Sequence, residues 1–526
     1  MISKEMPAEN QVNHQEFEHR TKRIVSNSFM LFLRIFFITI INLYSVKYVL
    51  KGLGIDDYGV YNAVSGIVLT SSFVILVLST SIQRFYSFAF GKKDQSLIAN
   101  LFSASCNIII LLSFVILLLL ETIGLWYVNC KLNVPIDRID AVNYVYQFAT
   151  LAFIFTLLLV PFTALIFSHE DMGIYAALSC VDYGFRFIVA VLIAVSPIDR
   201  LVFYSAGLLV IAVIMFLSYA LITPLKYKEC RYKFIKDKQI YKDLLSFSGW
   251  TMYGALAGTG MIQGSILILN SFFGTFANAA FAVANQLYNA FSSLSNSIVL
   301  SFRPAMIRAY AEDNSKYLQG LFYLNNKVIL YLTACVAIPL FFEMEFILTH
   351  WLSEITPEMV IYSQLFIVYA VLIVMHNPIT TMVQSTGKIK KYQLLVQTIT
   401  LLSLPLAIIL FELNFPSYYM FISIIVCCVV AHVFRLYCLK GLFVDFSVLK
   451  YLKTIILPGI IIVSLTSLAV WLQYCNISNE IVRFFSICIS SPMLVLLLAF
   501  GLGLSNYERK TLVNFIKKKT NGRWHT

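Results

Sequence analysis

The feature that most constrains this chain is the recurrence of nearly uncharged apolar blocks, each about 20 residues long, separated by short polar connections. A helix of that length crosses the hydrocarbon core of a bilayer, whereas a barrel strand needs only about 10 residues of alternating polarity. Blocks fall at about 29–50, 59–81, 98–122, 142–167, 174–196, 200–222, 245–271, 277–300, 321–342, 360–383, 392–412, 417–439, 453–473 and 482–504. The pattern predicts an all-α integral membrane protein with about 14 transmembrane helices. Apolar residues make up 59% of the chain and charged ones 13%, about half the charge of a soluble domain, which excludes a soluble enzyme. The eighth block is the most polar, through Asn285, Gln286, Asn289 and Asn296.

Basic residues orient the spans. With a cytoplasmic N-terminus, Lys92, Lys93, the run from Lys226 to Lys242, Lys388, Lys390, Lys391, Arg435, Lys440 and the tail from Arg509 to Arg523 all fall inside. The outer side keeps only Lys47, Lys51, Lys131, Arg138, Arg200 and Arg483. This asymmetry predicts a multi-pass protein with both termini cytoplasmic, and it reads the net charge of +12 as a topology signal rather than a nucleic-acid face. The polar start, Met1 to Arg23, lacks the apolar core and cleavage site of a signal peptide. Cysteines such as Cys106, Cys180, Cys335, Cys427 and Cys428 lie inside apolar blocks and read as small hydrophobes, with neither metal-ligand spacing nor a disulfide framework.

An internal repeat appears at a period near 220 residues. Gly54 pairs with Gly274, Arg84 and Asp94 with Arg303 and Asp313, and, at a slightly shorter offset, Pro161, Ser168 and Tyr175 with Pro378, Ser385 and Tyr392. The expected organisation is a cytoplasmic tail (1–23), an N-terminal six-helix lobe (24–222), a basic linker (223–243), a C-terminal six-helix lobe (244–441), two extra helices (442–505) and a basic tail (506–526). An even number of spans per lobe relates the lobes by a pseudo-two-fold along the membrane normal, one of the repeat plans of alternating-access transporters.

Leu53-Gly54-Ile55-Asp56-Asp57-Tyr58-Gly59-Val60-Tyr61-Asn62, then Ser81-Ile82-Gln83-Arg84-Phe85 and Phe90-Gly91-Lys92-Lys93-Asp94, resemble the O-antigen flippases, the Wzx-like polysaccharide exporters of the multidrug/oligosaccharidyl-lipid/polysaccharide exporter superfamily. The sharpest match runs from Ser26 to Asp94, while length and helix count agree over nearly the whole chain. The resemblance implies translocation of an undecaprenyl-pyrophosphate-linked oligosaccharide, a lipopolysaccharide O-antigen or other surface-polysaccharide repeat unit, across a bacterial inner membrane. It implies no catalysis and no cofactor. Expected partners are the lipid-linked oligosaccharide, membrane lipids and the polysaccharide polymerase and chain-length machinery.

The charges inside the spans fit that cargo. Arg34 lies in the first span, Asp182 and Arg186 in the fifth, and Lys327 near the start of the ninth, where it reads as an interfacial lysine as well as a candidate for the substrate. A guanidinium binds phosphate oxygens bidentately and stays protonated, which makes Arg34 the first candidate substrate-binding residue. Asp182 and Arg186 are four apart and can pair on one helical face, or Asp182 can orient Arg186 toward phosphate. Arg84 and Arg303 are placed at the inner ends of the second and eighth spans, where they would flank a cytoplasmic mouth. Asn285, Gln286 and Asn289, interleaved with Tyr288 and Phe291, suit sugar hydroxyls and ring faces, and suit interhelical hydrogen bonding equally well. His376 and His432 read as separate packing histidines.

Two other functions are weighed. A cation-coupled multidrug exporter of the same superfamily would place acidic groups deep in its spans, and here the deep charges are mainly basic. A membrane transferase or ligase acting on lipid-linked sugars needs a catalytic outer loop, and the longest one, near Val128 to Asp140, is short and holds no histidine.

Overall fold

The computed structural model describes residues 8–69, 71–130, 138–352, 355–505 and 508–509. Most of the basic C-terminal tail and most of the outer loop that carries Lys131 lie outside the described residues. Among those described there is no strand. That follows from the solvent: in hydrocarbon every backbone N–H and C=O needs an internal partner, and an isolated apolar segment meets that demand only as a helix.

The helices are α1 (Ala8–Leu69), α2 (Ser72–Gly91), α3 (Gln95–Cys130), α4 (Ile139–Ser168), α5 (Met172–Val195), α6 (Arg200–Lys226) and α7 (Lys238–Ala311). They continue with α8 (Ser315–Phe342), α9 (Pro357–Thr386), α10 (Lys390–Glu412), α11 (Tyr419–Leu442), α12 (Val448–Asn476) and α13 (Glu480–Gly503). Among the described residues 13 stretches are long and apolar enough to cross a membrane. The eighth expected span, the part of α7 after Gly274, is helical but too polar to count among them. The expected tail before residue 24 is also helical from Ala8, continuous with the first span.

Two compact units emerge. One comprises Val25–Ala255 with Ile307–Asp313, and the other Leu256–Met306 with Asn314–Thr526 and the first 24 residues. In the first unit, α4 packs along α6 and α2 along the C-terminal part of α4. In the second, α8 and α11 pack on α9, and α12 and α13 lie against α8.

The repeat is written in the backbone. Gly54 (φ 82°) and Gly274 (φ 74°) each break a long helix at a left-handed residue, and a Cβ at either would meet nothing within 4 Å. Glycine is required there by the dihedral, not by crowding. The next left-handed residues are Lys93 (φ 55°) and Asp313 (φ 54°), followed by Glu170 (φ 60°) and Gly387 (φ 76°). Each member of the first set therefore has its counterpart at nearly the same spacing in the second.

This corrects the expected register by one residue. Asp94 caps α3 by accepting from the Leu97 N–H at 2.9 Å, and the residue that caps α8 in the same way is Asn314, accepting from Tyr317 N–H at 3.1 Å. Asp313 is the left-handed residue before the cap, the counterpart of Lys93 rather than of Asp94. Arg84 and Arg303 are consequently one position out of phase, about 100° apart around their helices. Neither ends its helix, because α2 runs on to Gly91 and α7 to Ala311.

Candidate functional site

Arg34, Asp182 and Arg186 belong to one polar cluster inside the first unit. The Arg34 guanidinium lies 4.5 Å from the centroid of the Tyr175 ring, and its Nη2 donates to the Tyr175 hydroxyl at 3.2 Å. Its Nε is buried and has no hydrogen-bond partner among the described residues. Tyr219 of α6, itself buried, lies within electrostatic reach of Arg34, Tyr175 and Asp182. On α5, Arg186 Nε donates to Asp182 Oδ1 at 3.0 Å, so the i,i+4 pairing expected from the sequence forms. Arg186 also lies within reach of Tyr61 and Tyr204, whose rings meet edge to face at 5.0 Å.

The arrangement has a plain chemical consequence. Arg186 has its carboxylate, whereas Arg34 has only a phenol and a ring face. A partly buried guanidinium so placed keeps donors free for an anionic oxygen, while the tyrosines offer hydroxyls and flat faces at small entropic cost.

The remaining predicted residues scatter. Arg84 is buried at the C-terminal part of α2 with its guanidinium over the rings of Phe85, Phe88 and Phe247, at 4.7, 5.2 and 5.3 Å. Arg303, in the second unit, donates from Nη2 to Gln384 Oε1 at 3.2 Å. Lys327 is only 3% exposed and its Nζ meets Glu508 Oε2 at 2.7 Å, which ties α8 to the residues after α13. The sequence expects Lys327 near an interface; the structure buries it in a structural ion pair.

The amides and aromatics of α7 do not share one face. Tyr288 stacks on Phe366 at 5.1 Å inside the second unit, and Phe281 and Phe291 are buried there as well. Asn285 is half-buried with an orphaned Oδ1, and Gln286, Asn289, Ser293 and Asn296 are exposed. These exposed residues recur at helical spacing, a polar stripe not spent on packing within the unit.

Sequence reasoning missed Arg435 by counting it among the topogenic cations. It is buried in α11 and donates from Nε to the Tyr392 hydroxyl at 3.2 Å. Tyr392 is the repeat counterpart of Tyr175, so each unit holds an Arg–Tyr pair on the matched tyrosine. The available signal was Tyr175 and Tyr392 themselves, already visible as repeat anchors.

Outside the spans, Arg138 bridges Asp57 and Asp199. It makes a two-pronged contact with Asp57, in which Nε donates to Oδ1 at 2.9 Å, and its Nη1 reaches Asp199 Oδ2. Burial alone would raise the Asp199 carboxyl, but the Val202 N–H, the Arg138 guanidinium and the Leu201 N–H together hold it below the usual carboxylate range. Asp57, part of the glycine-tyrosine motif after Gly54, is thus a structural anchor.

Comparison with known proteins gives a consistent placement. Residues 91–310 match the family described as polysaccharide biosynthesis protein. The membrane protein EpsK of Bacillus subtilis (strain 168) is 21% identical over 297 residues, 55% of this chain and 57% of that protein. The chain thus spans little more than half the length of this curated relative. Among solved structures, an outward-facing multidrug resistance MATE family transporter of the MOP superfamily superposes with a TM-score of 0.68 at 16% identity, covering 81% of this chain and 97% of that one. A MATE structure in complex with MaD3S gives 0.69 at 15% identity over 80% and 97%. A MOP superfamily transporter from Pyrococcus furiosus, described by the reverse polarity of its binding pocket, gives 0.68 at 15% over 80% and 95%. These likenesses give the chain the multi-pass helical fold of the MATE and MOP superfamily structures and, over residues 91–310, a similarity to the polysaccharide biosynthesis family.

Proposed function

We propose that this protein is a flippase that moves a lipid-linked oligosaccharide, with undecaprenyl pyrophosphate as its anchor, from the inner to the outer leaflet of a bacterial inner membrane by alternating access. The observation that carries the reading is Arg34, a guanidinium within the first span that has a tyrosine and no carboxylate for company among the described residues. Such a group wants an anion, and pyrophosphate is the anionic part of the proposed cargo. The tyrosines around Asp182 and Arg186 suit the adjoining sugars. Both termini are cytoplasmic in this reading, the basic linker faces anionic headgroups, and the pathway's polymerase receives the product.

The test is deletion of the gene followed by leaflet-resolved analysis of lipid-linked repeat units. Accumulation facing the cytoplasm, reversed by the wild-type gene and not by R34A at equal protein level, is the expected result. Normal outward delivery without the gene overturns the proposal. A multidrug-exporter reading draws support from the MATE neighbours and from the Asp182 carboxylate in α5. It predicts cationic-drug efflux that is lost in D182N, with polysaccharide export unaffected.

A further inference from the structure

We propose that the second unit contains an internal binding site for a small inorganic anion, formed by Arg435, His432, His376 and Tyr451. The inference does not depend on which cargo the chain exports.

Arg435 is 6% exposed. Its Nε is used by the Tyr392 hydroxyl, its Nη1 is buried with no hydrogen-bond partner, and among the described residues no carboxylate lies within ion-pair distance. An unpaired cation held out of water is costly, and a protein that keeps one normally supplies a counter-charge. None comes from the described residues here.

The neighbours deepen the imbalance. His376, 3% exposed, stacks on His432 with ring centroids 4.9 Å apart and planes inclined by 24°, and both lie within electrostatic reach of Arg435. The one contact of the His376 ring nitrogens is a weak one, Nδ1 to Cys428 Sγ at 3.9 Å. Both ring nitrogens of His432 are buried without a partner, and so is the hydroxyl of Tyr451, whose ring lies 6.0 Å from that of His432. The side chains gathered here are a guanidinium, two imidazoles, phenols and thiols, so the set is rich in donors and lacks a charged acceptor.

A buried polar group left unmade costs about 1–3 kcal/mol, more when it is charged, and several occur here side by side. A halide or a phosphate would satisfy Nη1 and an imidazole N–H together and neutralise the guanidinium. A water would satisfy hydrogen bonds but leave the charge. His432 is the least buried of these side chains, and it marks the side from which an ion would enter.

The first unit gives an internal contrast. There Arg186 has Asp182, but the position equivalent to Asp182 in the second unit is apolar, within the run Thr398-Ile399-Thr400-Leu401. The repeat has kept its tyrosine and dropped its carboxylate, which leaves the charge balance to a diffusible ion.

The experiment uses the full-length protein in phosphatidylcholine nanodiscs, in gluconate buffer, with radiochloride and inorganic radiophosphate as probes. Saturable binding of at least one probe, displaced by its unlabelled form, is expected. Affinity should fall at least about tenfold in both R435Q and H432F, with R435K keeping part of it. If R435Q does not fold, H432F alone carries the comparison. The proposal is overturned if the wild-type protein binds neither probe, or if well-folded R435Q and H432F bind as the wild type does. Repeating the assay with phosphatidylglycerol nanodiscs separates the sources of negative charge. Unchanged affinity supports a small ion, whereas loss of probe binding there identifies a lipid headgroup as the occupant and sinks the small-ion assignment.

Discussion

Replacing Arg34 by alanine separates transport from folding, because the structure gives this side chain little stabilising work. Its contacts are one hydrogen bond to a phenol at 3.2 Å and a ring face at 4.5 Å. Together these contribute about 1–2 kcal/mol, and part of that returns when the cation no longer needs to be kept in the span. Loss of a charge-assisted hydrogen bond to phosphate costs about 1.5–3 kcal/mol, or about 10- to 160-fold in occupancy of the bound state. R34A should therefore reduce export of surface polysaccharide by one to two orders of magnitude while the protein accumulates normally and melts within a few degrees of wild type. R34K should recover part of the loss, because the charge survives without the planar fork. Export can be read as surface polysaccharide per molecule of membrane-inserted protein, and folding as a detergent melting curve. Wild-type export by a normally folded R34A would remove the residue from the mechanism, and a collapse of melting temperature would show that its role is structural.

Four further outcomes follow from the same geometry. Glu343 is 1% exposed and receives Arg483 through two hydrogen bonds at 2.8 and 3.2 Å, so R483A leaves a buried carboxylate and should cost about 3–5 kcal/mol, with the double variant E343Q/R483A costing less in the same denaturation assay. G54A and G274A meet no steric obstacle but must hold alanine at positive φ with extended ψ (172° and −167°), a region that glycine alone occupies readily, so each should lower stability by about 1–3 kcal/mol in that assay, and asparagine should do no better than alanine. For Asp182 and Arg186, a double alanine variant no worse in export than either single one is expected from their direct pairing; independent losses would assign them separate roles. Asp199 has a folded-state pKa below its unfolded value, so its stabilising effect is present above the unfolded value near 4 and disappears as pH falls through the folded one. A D199N variant should show a shallower loss of stability between about pH 5 and 2, and the difference will be modest because solvent reaches the pair.

The architecture was legible because hydrocarbon leaves the chain few options. Apolar block length reported the spans, and Gly54 and Gly274 marked the breaks through a dihedral that few other residues accept. What sequence could not give was phase. Asp313 matches Asp94 in chemistry, but the capping role falls on Asn314, since asparagine offers the same acceptor oxygen one residue later. A slip of one residue in a helix turns a side chain by about 100°, enough to misplace Arg303 relative to Arg84. The α7 amides and aromatics part company for the same reason: Tyr288 and Asn289 are adjacent in sequence, yet one faces the core and the other the surface. Arg435 was hidden by its distance from the end of α11, about two turns, where a topogenic cation and a buried one look alike until burial is known.

The two Arg–Tyr pairs argue that the repeats have diverged in duty while keeping a common frame. Tyr175 and Tyr392 hold equivalent places near the starts of α5 and α10, and each meets a guanidinium, but Arg34 comes from α1 and Arg435 from α11. Duplication alone would have placed both arginines on corresponding helices. Arriving from different ones, they mark two independent solutions to putting a cation against the same phenol. The surroundings differ accordingly: a second phenol, Tyr219, within reach of Arg34, and two stacked imidazoles near Arg435. Exchanging the tyrosines is therefore informative where exchanging the arginines is not. Y175F and Y392F each remove one hydroxyl and leave the ring, so they should perturb the two guanidinium groups equally. If the units share one duty, the two variants will lose export alike. Division of duty instead predicts that Y175F affects export chiefly, and Y392F the binding of small anions.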